Sequence, residues 1–284
     1  MKLFGYTVIH NEELFIPIIM PYIERMGYDK FVIYDNESTD NSVEILKQYP
    51  FVEIRPLITD GHFSDNKKRD IQLSSYVECY QYGKNNDEQV WMTFTDFDEV
   101  IFMTREREKT VKDYLDWQVK KGYNVFDGRF LHVTSNKDTF NKDDLKNGLL
   151  PHQLEGSKAT WWLSEGKKTT LILATDFEYM ETTCGNHSLG AKIEEGKKVL
   201  NLDDTKEFYN LHFKYFSKDL LRQKAEAYAK HDGKNLILVN EVNEVCDRAR
   251  ASSFTFEQLF LMNGFFTKPL ITGDGFGDGF YLVN

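Results

Sequence analysis

The chain of 284 residues carries 35 Lys and Arg against 45 Asp and Glu, a formal net charge of −10. A surplus of that sign repels nucleic acid unless basic side chains are gathered locally, so nucleic acid is not an expected partner. Three widely spaced cysteines, Cys79, Cys184 and Cys246, without a CxxC pair, indicate neither a disulfide framework nor a zinc–cysteine site.

Met1 runs almost at once into the β-rich "LFGYTVI" (Leu3 to Ile9), with none of the marks of a secretory signal. No apolar run approaches the roughly 20 residues of a membrane span. A cytoplasmic protein is expected, with peripheral contact at the inner face of a membrane left open. After the polar "HNEE", the segment "LFIPIIMPYIERMG" spaces its apolar residues as a helix does and stops at Gly27. "KFVIYD" (Lys30 to Asp35) reads as a second strand. "NESTDNSVEILKQY" holds capping candidates before a short amphipathic helix, and "VEIRPL" reads as a third strand. Strand, helix, strand, helix, strand is the pattern of a parallel sheet wound with helices.

A helical stripe over Asp65 to Tyr82 then leads through the polar turn "GKNNDE" into the strand "QVWMTFTD". Ligands of open α/β sheets sit outside the carboxyl ends of parallel strands. Asn11, Asp35 and the Asp96 cluster all fall at such ends, so three segments are expected to converge on one crevice. Beyond Phe102 the pattern is mixed: a helix in "TVKDYLDWQVKKG", strands in "NVFDGRFLHV" and "KTTLILAT", a helix from about Lys218 to His231, and another near Phe254 to Met262. The 6 prolines are scattered and no linker composition is present, so one compact unit is expected. The tail "GDGFGDGF" reads as a surface loop.

"MTFTDFDEVIF" places Asp96, Asp98 and Glu99 within a run that otherwise reads as a buried strand. An unpaired buried charge costs several kcal/mol, so these carboxylates need partners. Alternation along an extended backbone turns Asp96 and Asp98 one way and Phe97 and Glu99 the other. Two carboxylates on one side of a strand end can grip Mg²⁺ or Mn²⁺, whose remaining ligands come from water and substrate phosphates.

"IHNEE", "FVIYDNESTDNS" and "WMTFTDFDEVIF" together resemble glycosyltransferases of the A-type fold, particularly family-2-like enzymes with a D-x-D-E segment. The resemblance covers residues 3 to 103 well and reaches more loosely to residue 231. It implies one Rossmann-like α/β domain, with a mostly parallel central sheet flanked by helices and a helical C-terminal part. Residues 1–103 would form the half that binds a nucleotide-sugar donor, and residues 104–284 the half that binds the acceptor. Asn11 and Glu12 would lie beside the nucleotide and Asp35 on its base or ribose. Asp96 and Asp98 look like the metal and diphosphate end, with Glu99 structural. Val100 stands where the family usually has phenylalanine, which touches packing more than chemistry.

"KKTTLILATDFEYMETTCGNHSLG" resembles the stretch in which a basic residue precedes a strand and a Gly-x-His element follows. His187 is then a candidate metal ligand, and Lys167 or Lys168 a phosphate partner. "NLHFKYFSKDLLRQKAEAYAK" resembles a late histidine-aromatic segment entering a helix. Ser217 is its N-cap candidate, with Leu220, Leu221, Lys224, Ala225 and Tyr228 at helical spacing, and His212 and Lys214 sit just ahead. Relatives often carry Lys-Ser there, whereas Phe216 precedes Ser217, so Lys214 and Lys218 both stand as substitutes for the phosphate-contacting lysine.

The implied reaction moves a sugar from a nucleotide-sugar, with UDP expected, to a saccharide or glycoconjugate hydroxyl with inversion. Mn²⁺ or Mg²⁺ would neutralise the departing diphosphate. A carboxylate base is required on the acceptor hydroxyl. Glu155, Glu165 and Asp176 are candidates, with Glu165 in "WWLSEGKK" preferred because Trp161 and Trp162 could stack on a sugar. A nucleotidyltransferase acting on a sugar phosphate, or an inactive carbohydrate-binding protein, are the alternative readings.

Overall fold

The computed structural model describes residues 1–59, 64–103, 111–135, 159–174, 180–182, 189–191, 198–201, 208–214, 216–232 and 236–251. In chain order the elements are β1 (Lys2–Ile9), α1 (Ile16–Arg25), β2 (Lys30–Asp35), α2 (Ser42–Leu46), β3 (Val52–Pro56), α3 (Asp65–Asn86), β4 (Val90–Phe94), β5 (Glu99–Met103) and α4 (Val111–Lys120). They continue with β6 (Tyr123–Ser135), β7 (Ala159–Leu173), β8 (Met180–Thr182), β9 (Leu189–Ala191), β10 (Lys198–Asn201), β11 (Phe208–His212), α5 (Lys218–Asp232) and α6 (Leu236–Ala251).

β1 is apolar almost throughout because both of its faces are covered. Ile9 packs with Ile16, Ile19 and Ile23 of α1, and Leu3 with Val111 and Leu115 of α4, on one side of the sheet. Phe4 and Tyr6 meet Ile71, Tyr76 and Cys79 of α3 on the other. Pro17 sits in the first turn of α1, where its missing N–H leaves no helical bond unmade. The helix stops where Gly27 takes a φ of +69°, a conformation that glycine adopts without steric cost.

The main sheet runs β3-β2-β1-β4-β7-β6-β11-β5, with β10 also paired to β6. β3, β2, β1 and β4 are mutually parallel, as are β6 with β10 and β11. β7 is antiparallel to β4 and β6, and β5 is antiparallel to β11. The fold is therefore mixed α/β, with a mostly parallel central sheet flanked by helices, as expected for a Rossmann-like domain. Strand order reverses between β1 and β4, and the crevice outside the carboxyl ends of two such strands is where these sheets bind ligands.

Besides β8 to β11, which the sequence reading did not expect, two features depart from it. β4 ends at Phe94, and Thr95 to Asp98 form a crossing that ends in a turn, closed by Glu99 N–H to the Asp96 carbonyl at 3.0 Å. This crossing carries the chain to β5, on the far side of β7, β6 and β11, so period-2 alternation does not extend through it. The second departure is α6, a helix that the sequence reading did not expect; the helix anticipated near 254–262 and the tail loop lie outside the described residues.

Candidate functional site

The loops after β1 and β2 are zipped together by short polar side chains. The Asn11 amide oxygen accepts the N–H groups of Thr39 (2.7 Å) and Asp40 (3.3 Å), while the Asn11 N–H donates to Ser38 Oγ at 3.0 Å. Asn11 itself has a φ of +56°, which asparagine tolerates better than most residues. The N–H groups of Glu12 and Glu13 donate to Ser42 Oγ (2.8 Å) and Asp40 Oδ2 (3.0 Å). Asp35 closes its own turn by accepting the Ser38 N–H at 3.2 Å. "HNEE" and "NESTDNS" therefore form one rigid rim, and the rim fixes the backbone from which Glu12 faces the crevice. Burial raises the Glu12 carboxyl to about 7; Asp98, Asp40 and Asp96 push the same way, and Lys224 opposes them.

The crossing passes side chains contributed by the strands it spans. The antiparallel pair of Met92 and Ile172 carries Lys168, four residues back along β7, to the level of Asp96, four residues on from Met92. Lys168 is 1% exposed and donates to Glu99 Oε2 at 2.5 Å, with Asp96 Oδ2 at 3.7 Å. Burial alone would lower its pKa, but Asp96 and Glu99 outweigh that and raise it. Asp96, whose side chain keeps 42% of its surface in water, also takes the ammonium of Lys68 from α3. Burial works against its ionised form, yet Lys168 and Lys68 hold its carboxyl below the usual range.

Asp98 lies deeper, 1% exposed. Its Oδ2 accepts from Lys224 Nζ of α5 at 2.5 Å, and His212 Nε2 at the end of β11 stands 3.5 Å away. Its backbone carbonyl accepts the Phe213 N–H at 2.9 Å. Burial favours the neutral acid, but Lys224 and His212 overcome it and keep the carboxyl well below its ordinary value. Behind His212 the ring of His132 lies 4.9 Å away and that of Phe130 5.4 Å away. Burial, with His212 and Lys214 nearby, lowers His132 to about 3, so its imidazole is neutral at physiological pH.

Three carboxylates in a buried run are thus tolerated because three ammonium groups, from α3, β7 and α5, meet them. Glu99, expected to turn away from Asp96, instead shares Lys168 with it, since the turn replaces the extended backbone on which alternation rests. Asp98 Oδ2 and His212 Nε2 form an oxygen–nitrogen pair close enough to serve one small cation, with solvent-facing Asp96 nearby. Among the described residues no group of three or more His, Cys, Asp or Glu is arranged to hold a metal ion. The fit to Mg²⁺ or Mn²⁺ therefore rests on two donors, with water and substrate oxygens supplying the rest, as is usual for such ions.

Lys214 lies half-buried in the turn after β11. Ser217 caps α5 as expected, its Oγ accepting the Leu220 N–H at 3.1 Å. Lys218 points elsewhere, to Asp247 of α6 at 3.0 Å. Glu165 lies on β7, where Trp161 pairs with Val133 and Trp162 with His132. His187, Glu155 and Asp176 lie outside the described residues. Lys68 and Lys224 were missed as site residues, although each carries a signal. Lys224 falls in the same stripe as buried Leu220, Leu221 and Ala225, and Lys68 lies three residues before buried Ile71. A lysine on a buried helix face requires an anion.

Among the described residues no helix is long and apolar enough to cross a membrane. No curated protein matches the chain. It is similar to the solved structure of 4-diphosphocytidyl-2C-methyl-D-erythritol synthase from Anaerococcus prevotii, with 12% identity and a TM-score of 0.27 over 61% of this chain and 70% of that one. It is also similar to HddC from Yersinia pseudotuberculosis, with 10% identity and a TM-score of 0.26 over 75% of this chain and 89% of that one. Likeness of that size says nothing about chemistry. The sequence profile of glycosyltransferase family 92 matches residues 10–168, more than half of the chain, and spans the rim, the crossing and Lys168. The chain belongs to glycosyltransferase family 92.

Proposed function

We propose that this glycosyltransferase moves a sugar from a UDP-sugar to a hydroxyl of a saccharide or glycoconjugate, with inversion at the anomeric carbon and with Mn²⁺ or Mg²⁺ at the diphosphate. The observation that carries this reading is the gathering of Asp96, Asp98, His212, Lys68, Lys168 and Lys224 outside the carboxyl ends of β1 and β4. A net acidic protein has few ways to hold a diphosphate, and a local set of ammonium groups is one of them.

Residues 1–103 supply the nucleotide end of the donor site, and residues 104–284 the acceptor side together with Lys168, His212 and Lys214 at the diphosphate. Asn11, Glu12 and Asp35 line the nucleotide end. Asp98 and His212 would hold the cation, with Asp96 as the neighbouring carboxylate, and His187 is a further candidate. When bound, the cation would supply positive charge to the leaving diphosphate. Lys168 and Lys214 add to the field that favours negative charge there. The acceptor oxygen attacks the anomeric carbon, the bond from that carbon to the diphosphate oxygen breaks, and the acceptor's proton passes to a carboxylate base, Glu165.

Calorimetric titration with UDP and other nucleoside diphosphates, with and without Mn²⁺, tests donor and cation together. UDP should bind measurably only with Mn²⁺, and Asp98→Ala should remove both that binding and transfer, by about 10²–10³-fold, while the melting transition persists. Full transfer by an EDTA-treated chain would exclude the cation.

A further inference from the structure

Resting on the cation-assisted reading above, we infer that Lys224 is a displaceable internal counter-ion: it occupies Asp98 while the site is empty and passes to the donor's diphosphate when a divalent cation takes Asp98. The argument begins with competition for one oxygen. Lys224 Nζ lies 2.5 Å from Asp98 Oδ2, the same atom that faces His212 Nε2. An ammonium and a divalent ion cannot both sit against that oxygen, because their mutual repulsion at such range is large in a partly buried site. A cation held between Asp98 Oδ2 and His212 Nε2 therefore has to move Lys224 away.

The two lysines of the inner cluster differ in whether they can move. Lys168 is 1% exposed and is held between two carboxylates, Glu99 and Asp96. Lys224 keeps 18% of its side chain in water. Its helix stays fixed by the Ser217 cap and by buried Leu220, Leu221 and Ala225, while its Nζ lies 5.6 Å from the centre of the Phe15 ring. A flexible four-carbon stem on a fixed helix lets the ammonium swing while its base stays in place. Once displaced, Lys224 stands beside the diphosphate carried on the same cation, which brings it a new anionic partner.

Such an exchange couples two binding events. Divalent cation alone must break the Lys224–Asp98 pair and brings Lys224 no anion in return, so it binds weakly. Cation with nucleoside diphosphate gives Lys224 a new partner, so the two bind better together than apart.

The test titrates the full chain with Mn²⁺ alone, and with UDP in the presence of Mn²⁺, for the wild type, Lys224→Met and Lys224→Arg. Lys224→Met should bind Mn²⁺ alone about 10-fold more tightly and UDP with Mn²⁺ about 10-fold less tightly. Changes of opposite sign separate exchange from a structural role, which would weaken both. Lys224→Arg, whose planar fork holds a carboxylate more firmly, should bind Mn²⁺ alone several-fold more weakly, and it carries the test if the methionine variant does not fold. A wild type that binds both ligands, beside variants with unchanged affinities or with both affinities reduced in Lys224→Met, overturns the exchange alone. A wild type that binds neither ligand overturns the underlying reading together with the exchange.

Discussion

Two networks of alternating charge share one helix. Lys68 and Glu78 are ten residues apart on α3, about 15 Å along its axis, and each belongs to a different network. The outer one joins Lys30, Glu53, Arg55 and Glu78. Arg55 grips Glu78 with two bonds of 2.6 and 2.8 Å and Glu53 with one of 2.6 Å, and Lys30 reaches both acids at 2.8 Å. Its side chains keep between 27% and 43% of their surface in water. The inner network pairs Glu99 with Lys168 at 3% and 1% exposure and Asp98 with Lys224 at 2% and 18%, and leaves Asp96 at 42%. The outer set is closed and solvated, and its acids and bases answer one another. The inner set is graded, with a sealed pair at the bottom, a partly exposed lysine above it and an open carboxylate at the mouth. Ion pairs of similar length thus hold strands and helix together in one place and, in the proposed reading, prepare a ligand site in the other.

The largest effect expected from breaking this contrast lies at the sealed pair. Lys168→Met leaves Glu99 buried without its cation, and removal of one partner from a buried pair costs about 3–5 kcal/mol. Replacing both, as Lys168→Met with Glu99→Leu, should restore most of that loss. The matching change outside, Arg55→Met, should cost about 1 kcal/mol or less, because exposed pairs contribute little. Urea denaturation of the three variants gives the comparison directly. Equal losses for Lys168→Met and Arg55→Met would remove the distinction between the networks.

The same contrast marks what a reader of the sequence can see. β2 runs over Lys30–Asp35 as expected, β1 starts one residue ahead of its expected run and β4 lies within its own, because strands covered on both faces are written as largely apolar runs. The turn at Asp96–Glu99 was not legible, since nothing local says that β4 stops at Phe94 and that the chain then crosses other strands. Lys224 was visible as a lysine in an apolar stripe, but its partner is 126 residues away and only the fold brings Asp98 to it. α6 was missed although Val242, Val245, Cys246 and Ala249 recur at helical spacing and Val242, Cys246 and Ala249 are buried. Its stripe is made of small side chains, interrupted by charged ones, and carries little apolar signal for its length.

A second, smaller effect separates the networks by pH. Burial raises the Glu12 carboxyl from 4.5 to about 7, with Asp98, Asp40 and Asp96 adding to it and Lys224 opposing. An acid whose folded pKa is raised keeps its proton while the unfolded chain ionises. Stability therefore falls as pH rises through the window between those values, by about 3 kcal/mol at most. Glu12→Gln should flatten that part of the curve and make the chain more stable than wild type at about pH 8 in EDTA. An unchanged slope would exclude Glu12 as its source.

The smallest effect runs in the opposite direction at the outer network. Burial would raise Glu78, but Arg55 and Lys30 prevail and lower it from 4.5 to about 2. A depressed acid contributes stability that is complete above its unfolded pKa and is lost as pH falls toward the folded one. Glu78→Gln should therefore be less stable than wild type near neutrality, and the two curves should converge as pH drops toward about 2. With nearly a third of the side chain in water, screening limits the difference to about 1 kcal/mol, and added salt should shrink it further. The buried Lys168–Glu99 pair should show no comparable salt dependence, because ions in solution screen a sealed pair much less. Thermal melts of Glu78→Gln and Lys168→Met at low and high salt test this in one series. A loss at Glu78 that ignores salt would mean that the outer network too is held by burial rather than by charges facing water.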